Sequence, residues 1–239
     1  LTTYNQLYSL FDAFIFKLDP NGNVLWAKNI GGTSIEEGKA VTTDENDNIY
    51  MAGLFWSANV NFGVNTFSST GADDIFITKY SSSGTAIWTK VFGSSTNESV
   101  VDICSDKNGH VYFTGEYRAS NLTIGTLLPA NLDSSPTTEV YVSKMDMNGN
   151  IVWAKTANCV GADYVKGVGV DKQKNVMITG RFADFYIDID GNIFPGDQTD
   201  NPACINGSGF FLIKFDSVGT FQWFQTISIS KNECGLSVK

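Results

Sequence analysis

The chain has 239 residues, 16 basic and 25 acidic, a formal net charge of −9, and 42 % of its side chains are apolar. That apolar share excludes a disordered chain, and no run of about 18 apolar residues offers a membrane-spanning helix. So few Lys and Arg argue against nucleic acid as a partner, because phosphate contacts need basic groups.

The first residue is Leu1, and no signal peptide precedes the first strand, so the chain is read as a processed form or a fragment. The first clear elements are two short β-branched and aromatic runs, Ala13–Leu18 and Val24–Lys28. Between them lies Asp19-Pro20-Asn21-Gly22-Asn23, a hairpin turn: Pro presets φ and Asn-Gly supplies positive φ. A second pair follows, Lys39–Thr43 and Ile49–Leu54, around the turn 44–48. Helical periodicity is absent throughout.

The pattern then repeats. Trp26, Trp88, Trp153 and Trp223 are spaced 62, 65 and 70 apart. Lys17, Lys79, Lys144 and Lys214, and the turn glycines Gly22, Gly84, Gly149 and Gly219, keep the same intervals. Each unit of about 65 residues is four short antiparallel strands. One such sheet cannot bury both of its faces, so units must stack, as the blades of a β-propeller do. A stacked β-sandwich array is the alternative. The four Trp are expected at equivalent positions, largely buried between blades. At least about 40 % of residues should be strand, against an average of about 20–25 %.

The expected fold is therefore all-β, a β-propeller of four-stranded antiparallel blades, with residues 1–239 forming a single propeller domain or partial propeller. The repeat units run 11–73, 74–139, 140–209 and 210–239. By strand role the chain holds two closing strands (11–32), three full blades (36–94, 98–158 and 163–228) and an opening strand (234–239), about 3.5 blades. This reads as part of a longer chain. A small four-bladed ring and a ring shared by two copies are the less favoured readings.

Asp12, Phe14, Lys17, Asp19, Gly22, Trp26, Gly31, Gly32, Glu36, Asp44, Asn48, Tyr50 and Gly53 carry a pattern that resembles the β-propeller repeats of bacterial cell-surface and secreted proteins. That family is usually described as seven-bladed. The resemblance covers about residues 11–238. It implies a propeller fold in an extracellular or cell-surface protein and no particular activity. The longer connections after Gly115 and Gly180 depart from the pattern.

An acidic residue precedes each innermost strand: Glu36, Glu98, Asp163 and Glu233. A carboxylate ring at a channel mouth would bind a cation or a basic partner. The favoured reading is structural, with backbone donors at blade junctions. The recurring lysines are expected to pair with carboxylates or to pack their stems on a sheet face. Asp44, Asp106 and Asp171 are expected to form Asx turns. Asp188 and Asp190, with Asp184 upstream, resemble half a calcium loop without its closing Glu, which makes Ca2+ the one candidate cofactor. Asp190-Gly191 is equally a hairpin turn.

Catalysis finds little footing. The single histidine, His110, takes the turn position of Asn48 and Asn175, and no phosphate-binding glycine loop opens a helix. Of four cysteines, Cys104 aligns with Thr42 and Gly169 in an innermost strand and reads as a buried thiol. Cys204 is a disulfide candidate with Cys234, and next with Cys159, which fits an oxidising compartment. Sequons at Asn97, Asn121 and Asn206 are glycosylation candidates in a eukaryotic secretory source.

The leading functional expectation is a non-catalytic structural or adhesive module of a secreted or cell-surface protein. Its loops would contact protein or surface partners, and its edges would be covered by other blades or another copy. The alternative is a carbohydrate- or ligand-binding, lectin-like propeller using Trp56, Phe185, Tyr186 and Phe194. A propeller hydrolase or lyase ranks third.

Overall fold

The computed structural model describes residues 11–118, 122–125, 137–158, 162–183, 186–195 and 208–227. Among these the chain is all-β, without a helix, and its sheets are antiparallel. A hairpin comes first, β1 (Ala13–Leu18) and β2 (Val24–Ile30). The first four-stranded unit follows: β3 (Glu36–Thr43) and β4 (Ile49–Phe55), a small connector hairpin of β5 (Val60–Asn61) and β6 (Thr66–Phe67), then β7 (Asp74–Tyr80) and β8 (Ala86–Phe92). The second unit is β9 (Glu98–Ser105), β10 (His110–Tyr117), β11 (Glu139–Asp146) and β12 (Ile151–Asn158). The third begins with β13 (Tyr164–Val170) and β14 (Val176–Ala183). Its connector hairpin is β15 (Tyr186–Ile189) and β16 (Asn192–Pro195), and β17 (Ser208–Phe215) and β18 (Phe221–Ile227) complete it. Within each unit the strands pair in chain order.

The turns explain why the strands stop where they do. At Asp19, Asp44, Asp106, Asp146 and Asp216 the side-chain oxygen accepts backbone N–H groups two and four residues on, at 2.8–3.1 Å. Asp171 accepts from the Asn175 N–H at 2.8 Å in the same way. A short carboxylate thus ends one strand and aims the next. Gly22, Gly84, Gly149 and Gly219 close the outer hairpins at φ of +82° to +86°, a region that favours glycine.

The core lies between sheets. Ala13 and Ile30 of the first hairpin pack with Met51, Phe76 and Tyr80 of unit one. Tyr50, Ile75 and Ile77 of unit one pack with Val100, Phe113 and Tyr141 of unit two. Tyr112 and Val142 of unit two pack with Val168, Ile178 and Ile213 of unit three. Each buried Val, Ile or Phe contributes about 1.5–3 kcal/mol, so a unit is held mainly by its neighbours. The result is a succession of propeller-like sheets.

Two expectations need correction. The four Trp occupy equivalent strand positions but are half-buried rather than largely buried; the indoles of Trp26, Trp88 and Trp153 reach out to turn carbonyls of the next unit instead of lying wholly between sheets. The second sheet has six strands, not four. The connector hairpin of unit three adds to its outer edge, where Ala157 pairs with Ile189 and Asn158 with Asp188. An outer strand leaves backbone groups unpaired, and the connector takes them up.

The connectors carry a repeat of their own. Val60, Leu122 and Ile187 are spaced 62 and 65 apart, as are Phe62, Ile124 and Ile189. All six are buried. The intervals equal those of Trp26, Trp88 and Trp153, so the long connections stay in register at their start and differ only farther on.

Candidate functional site

The recurring Lys and Trp form a joint between units. Trp26 Nε1 and Lys17 Nζ both donate to the Ser82 carbonyl, at 3.1 and 3.2 Å. Trp88 and Lys79 donate to the Met147 carbonyl at 3.0 and 3.3 Å. Trp153 and Lys144 donate to the Ser217 carbonyl at 3.4 and 2.9 Å. The acceptor always precedes the turn glycine of the next unit by two residues. A Cβ on Gly84 would come 2.7 Å from the Trp26 ring, and one on Gly219 2.9 Å from Trp153. Within its own unit Lys79 also faces Asp44 at 3.6 Å and stands over the Tyr50 ring. These repeated groups are absorbed by the scaffold.

The acidic residues before the innermost strands sit at blade junctions. The backbone N–H groups of Glu36, Glu98 and Asp163 donate to the carbonyls of Phe11, Asp73 and Thr138 at 2.7–2.9 Å. All three side chains are buried, so these carboxylates do not line an open ring facing solvent. Glu98 accepts from the Ser94 N–H at 2.8 Å, from the Ser94 hydroxyl, and from the Thr96 hydroxyl at 3.1 Å. In unit one Gly32 replaces that serine. Ser57 stands where a Gly32 side chain would lie, 2.5 Å from the ideal Cβ. Burial pushes the Glu36 and Glu98 carboxyls above the usual range, and Asp12 and Asp74 add to the rise. Glu233 lies outside the described residues.

Function is more readily sought where units differ, since a scaffold position repeats and a recognition position need not. Three cross-strand pairs occupy equivalent sites in the inner hairpins: Glu37 with Leu54, Ser99 with Glu116, and Tyr164 with Arg181. Their chemistry changes completely from unit to unit. Residues of all three pairs, Leu54, Ser99, Glu116 and Tyr164, line one groove, which Asp73, Asn97, Glu98, Tyr117, Arg118 and Thr138 complete. Burial raises the Glu116 carboxyl, opposed by Lys166. Burial raises that of Asp73 too, opposed by Lys39. Arg118 Nε donates to Thr138 Oγ1 at 3.1 Å, and Arg181 lies over the Tyr164 ring at 5.3 Å. Carboxylates, guanidinium groups and a phenol ring are groups that grip a polar partner surface. Sequence reasoning missed this groove, although the aligned positions 54, 116 and 181 carried its signal.

The remaining candidates fall as follows. Asp188 accepts the Gly191 N–H at 2.7 Å, and Asp190 pairs with Lys155 at 2.5 Å. Asp190 and Gly191, at φ of +53° and +83°, make the two-residue hairpin turn joining β15 to β16. Asp184 lies outside the described residues, among which no three His, Cys, Asp or Glu side chains gather as a metal-holding group. His110 Nδ1 lies 3.2 Å from Asp106 Oδ2, the place Asn48 Nδ2 takes on Asp44. Burial pushes the partly buried Cys104 thiol up to about 12, so it is not a ready nucleophile. Cys159, Cys204, Cys234, Asn121, Asn206 and Phe185 lie outside the described residues. Asn97 is exposed. Trp56 is 49 % exposed, whereas Phe194 packs against Phe221 and Phe224.

No protein-family model matches the chain. An uncharacterized WD repeat-containing protein of Acanthamoeba polyphaga mimivirus is 28 % identical over 186 residues, 66 % of this chain and 13 % of that protein. Regulatory protein FlaEY of Caulobacter vibrioides is 25 % identical over 162 residues, 68 % of this chain and 17 % of that protein. The chain thus spans less than a fifth of either relative. A crystal structure of a protein of unknown function from Bacteroides caccae superposes with a TM-score of 0.39 at 11 % identity, over 88 % of this chain and 73 % of that one.

Proposed function

We propose that the chain is a non-catalytic interaction module: a propeller-type array that presents a polar groove to a protein partner, within a secreted or cell-surface protein. One observation carries the reading. The repeating Lys, Trp and turn Asp are absorbed into turns and inter-unit joints, while the cross-strand pairs that change from unit to unit meet at the groove of Glu116, Tyr164 and Arg118, above the repeated Glu98 and Tyr117. The similarity to a WD repeat-containing protein supports a repeat-built module of this kind. The resemblance to surface and secreted propeller repeats supports the location.

The test is partner capture on the immobilised chain from a surface fraction of the source organism. A protein retained by wild type, lost with Glu116→Arg and Arg118→Glu, and kept by a Val218→Glu control on an exposed turn is the expected outcome. Retention untouched by both groove variants would overturn the groove as the contact. A glycan-array signal abolished by Trp56→Ala would replace this reading with the lectin-like one.

A further inference from the structure

A second place where the units differ lies between the first hairpin and unit one, beside the outer strand β2. In unit three the connector is zipped onto the neighbouring outer strand, where Asn158 pairs with Asp188. Their equivalents here, Gly31 and Asn61, stay apart: β5 and β6 form a sheet of their own, and among the described residues β2 pairs with β1 alone. The space between them is a cavity of about 360 Å³, and all of its walls come from residues 28–86. That volume falls within the range of small-molecule sites, about 300–1,000 Å³. The cavity shares no residue with the groove of Glu116 and Tyr164.

Two departures from the repeat set this place apart. Ala86 lines the cavity where units two and three carry Ile151 and Phe221. Those larger side chains take up the corresponding ground: Ile151 lies 2.8 Å from an ideal Cβ on Gly125, and the Phe221 ring packs on Phe194 at 4.8 Å. Tyr80 lines the cavity where the equivalent residues are Leu18, Met145 and Phe215. It is 2 % exposed, its ring lies 6.3 Å from that of Trp26, and among the described residues no group hydrogen-bonds its hydroxyl. Burial pushes this phenol up to about 12, so at neutral pH it keeps its proton and can donate as well as accept. A buried hydroxyl without a partner is costly, and a ligand in the cavity would supply one.

The remaining groups set the chemistry of that ligand. Lys28 is exposed on the cavity wall and makes no ion pair among the described residues. Asn61 Oδ1 accepts the Gly63 N–H at 2.8 Å, which leaves the Asn61 amide to donate. Thr85 adds an exposed hydroxyl and Phe62 an apolar wall. An ammonium calls for a carboxylate. A phenol, an amide and a hydroxyl beside an aromatic wall call for a ring that carries hydroxyl groups and an apolar face.

We propose that this cavity binds an acidic sugar residue, a pyranose bearing a carboxylate, free or at the end of a glycan. The carboxylate pairs with Lys28, the hydroxyl groups bond Tyr80, Asn61 and Thr85, and the ring lies against Phe62.

Titration of the 239-residue chain with glucuronic acid, followed by saturation-transfer NMR, tests this. Glucose lacks the carboxylate and acetate lacks the ring, so wild type should bind glucuronate at least tenfold more tightly than either. Ala86→Ile and Tyr80→Phe borrow the side chains of Ile151 and Phe215, so both should keep the wild-type melting temperature. The first should abolish binding and the second weaken it at least tenfold. Lys28→Gln should erase the preference over glucose. A glucuronate-ended disaccharide separates the two sources: binding as tight as the free acid assigns the site to a glycan end, and exclusion assigns it to the free acid. No glucuronate binding by folded wild type, binding that survives both Ala86→Ile and Tyr80→Phe, or glucose bound as tightly as glucuronate would each overturn the proposal.

Discussion

The hairpins β1–β2 and β7–β8 follow the same pattern but live in different surroundings. Phe14 and Phe76 hold equivalent positions; Phe14 is 59 % exposed and Phe76 fully buried. The strand β7 lies between β4 and β8 in its sheet, and Phe62 and Phe76 pack ring to ring beneath the connector. Among the described residues β1 pairs with β2 alone. The same residue type in the same strand position is therefore core in one unit and surface in the other. Burial here belongs to the neighbours, not to the residue.

The comparison can be broken most directly at the phenylalanines. Phe76→Ala should cost about 3–5 kcal/mol, the range for truncating a fully buried ring. Phe14→Ala should cost under about 1 kcal/mol, as surface changes do. Urea unfolding of both variants at low protein concentration checks this; equal losses would mean that β1 is covered in solution.

The turns sharpen it next. Asp44 accepts from the Asn46 and Asn48 N–H groups, the Asn48 amide and the Tyr50 hydroxyl at 2.8–3.1 Å. Asp19 makes the same turn in the open. Asp44→Asn should cost about 2 kcal/mol, the scale of bonds to a charged group, and Asp19→Asn less. Burial raises the Asp44 carboxyl, but the bonds from Asn48, Asn46 and Tyr50 outweigh it and hold the pKa below its usual value. For Asp19 the Asn23 side chain is the leading cause of the same lowering. A lowered carboxylate pKa stabilises above the unfolded value and is lost as pH falls through the folded one. Both deficits should therefore shrink below about pH 4.

Glu36 should behave with the opposite sign. Its pKa is raised, first by burial, so its contribution is complete below about pH 4.3 and fades as pH rises through the folded value. Glu36→Gln should gain on wild type as pH rises from 4 to 8. Thermal melts at pH 4, 6 and 8 decide it; a constant offset would mean that the carboxyl stays charged at no cost. The smallest effect belongs to the joints. Trp26→Phe keeps the ring but loses the N–H to the Ser82 carbonyl, about 0.5–1 kcal/mol.

Much of the fold was legible because it is local. An Asp that accepts N–H groups two and four residues on leaves its mark within five residues, and so does a glycine at positive φ. The strand pairing within units followed from those turns. The connector repeat was equally present, in Val60, Leu122 and Ile187, but Asp188 and Asp190 drew attention as a metal motif while the buried Ile187 and Ile189 beside them carried the register. The groove was harder to read. Its residues are marked by failing to repeat, and an irregular position becomes a signal only once the hairpins are known to stand side by side.

The sequence by itself determined the unit: its length, its hairpins, its turn chemistry and the invariant Lys and Trp. Only the tertiary structure decided what those residues touch. The Trp26 indole finds its acceptor 56 residues away, on another sheet. The β15–β16 hairpin of unit three extends the sheet of unit two. Phe14 and Phe76 part company for the same reason. Turn bonds close within a few residues and are written into the local chain, whereas burial and inter-sheet hydrogen bonds depend on which sheet stands alongside, and identical repeats leave that choice to packing.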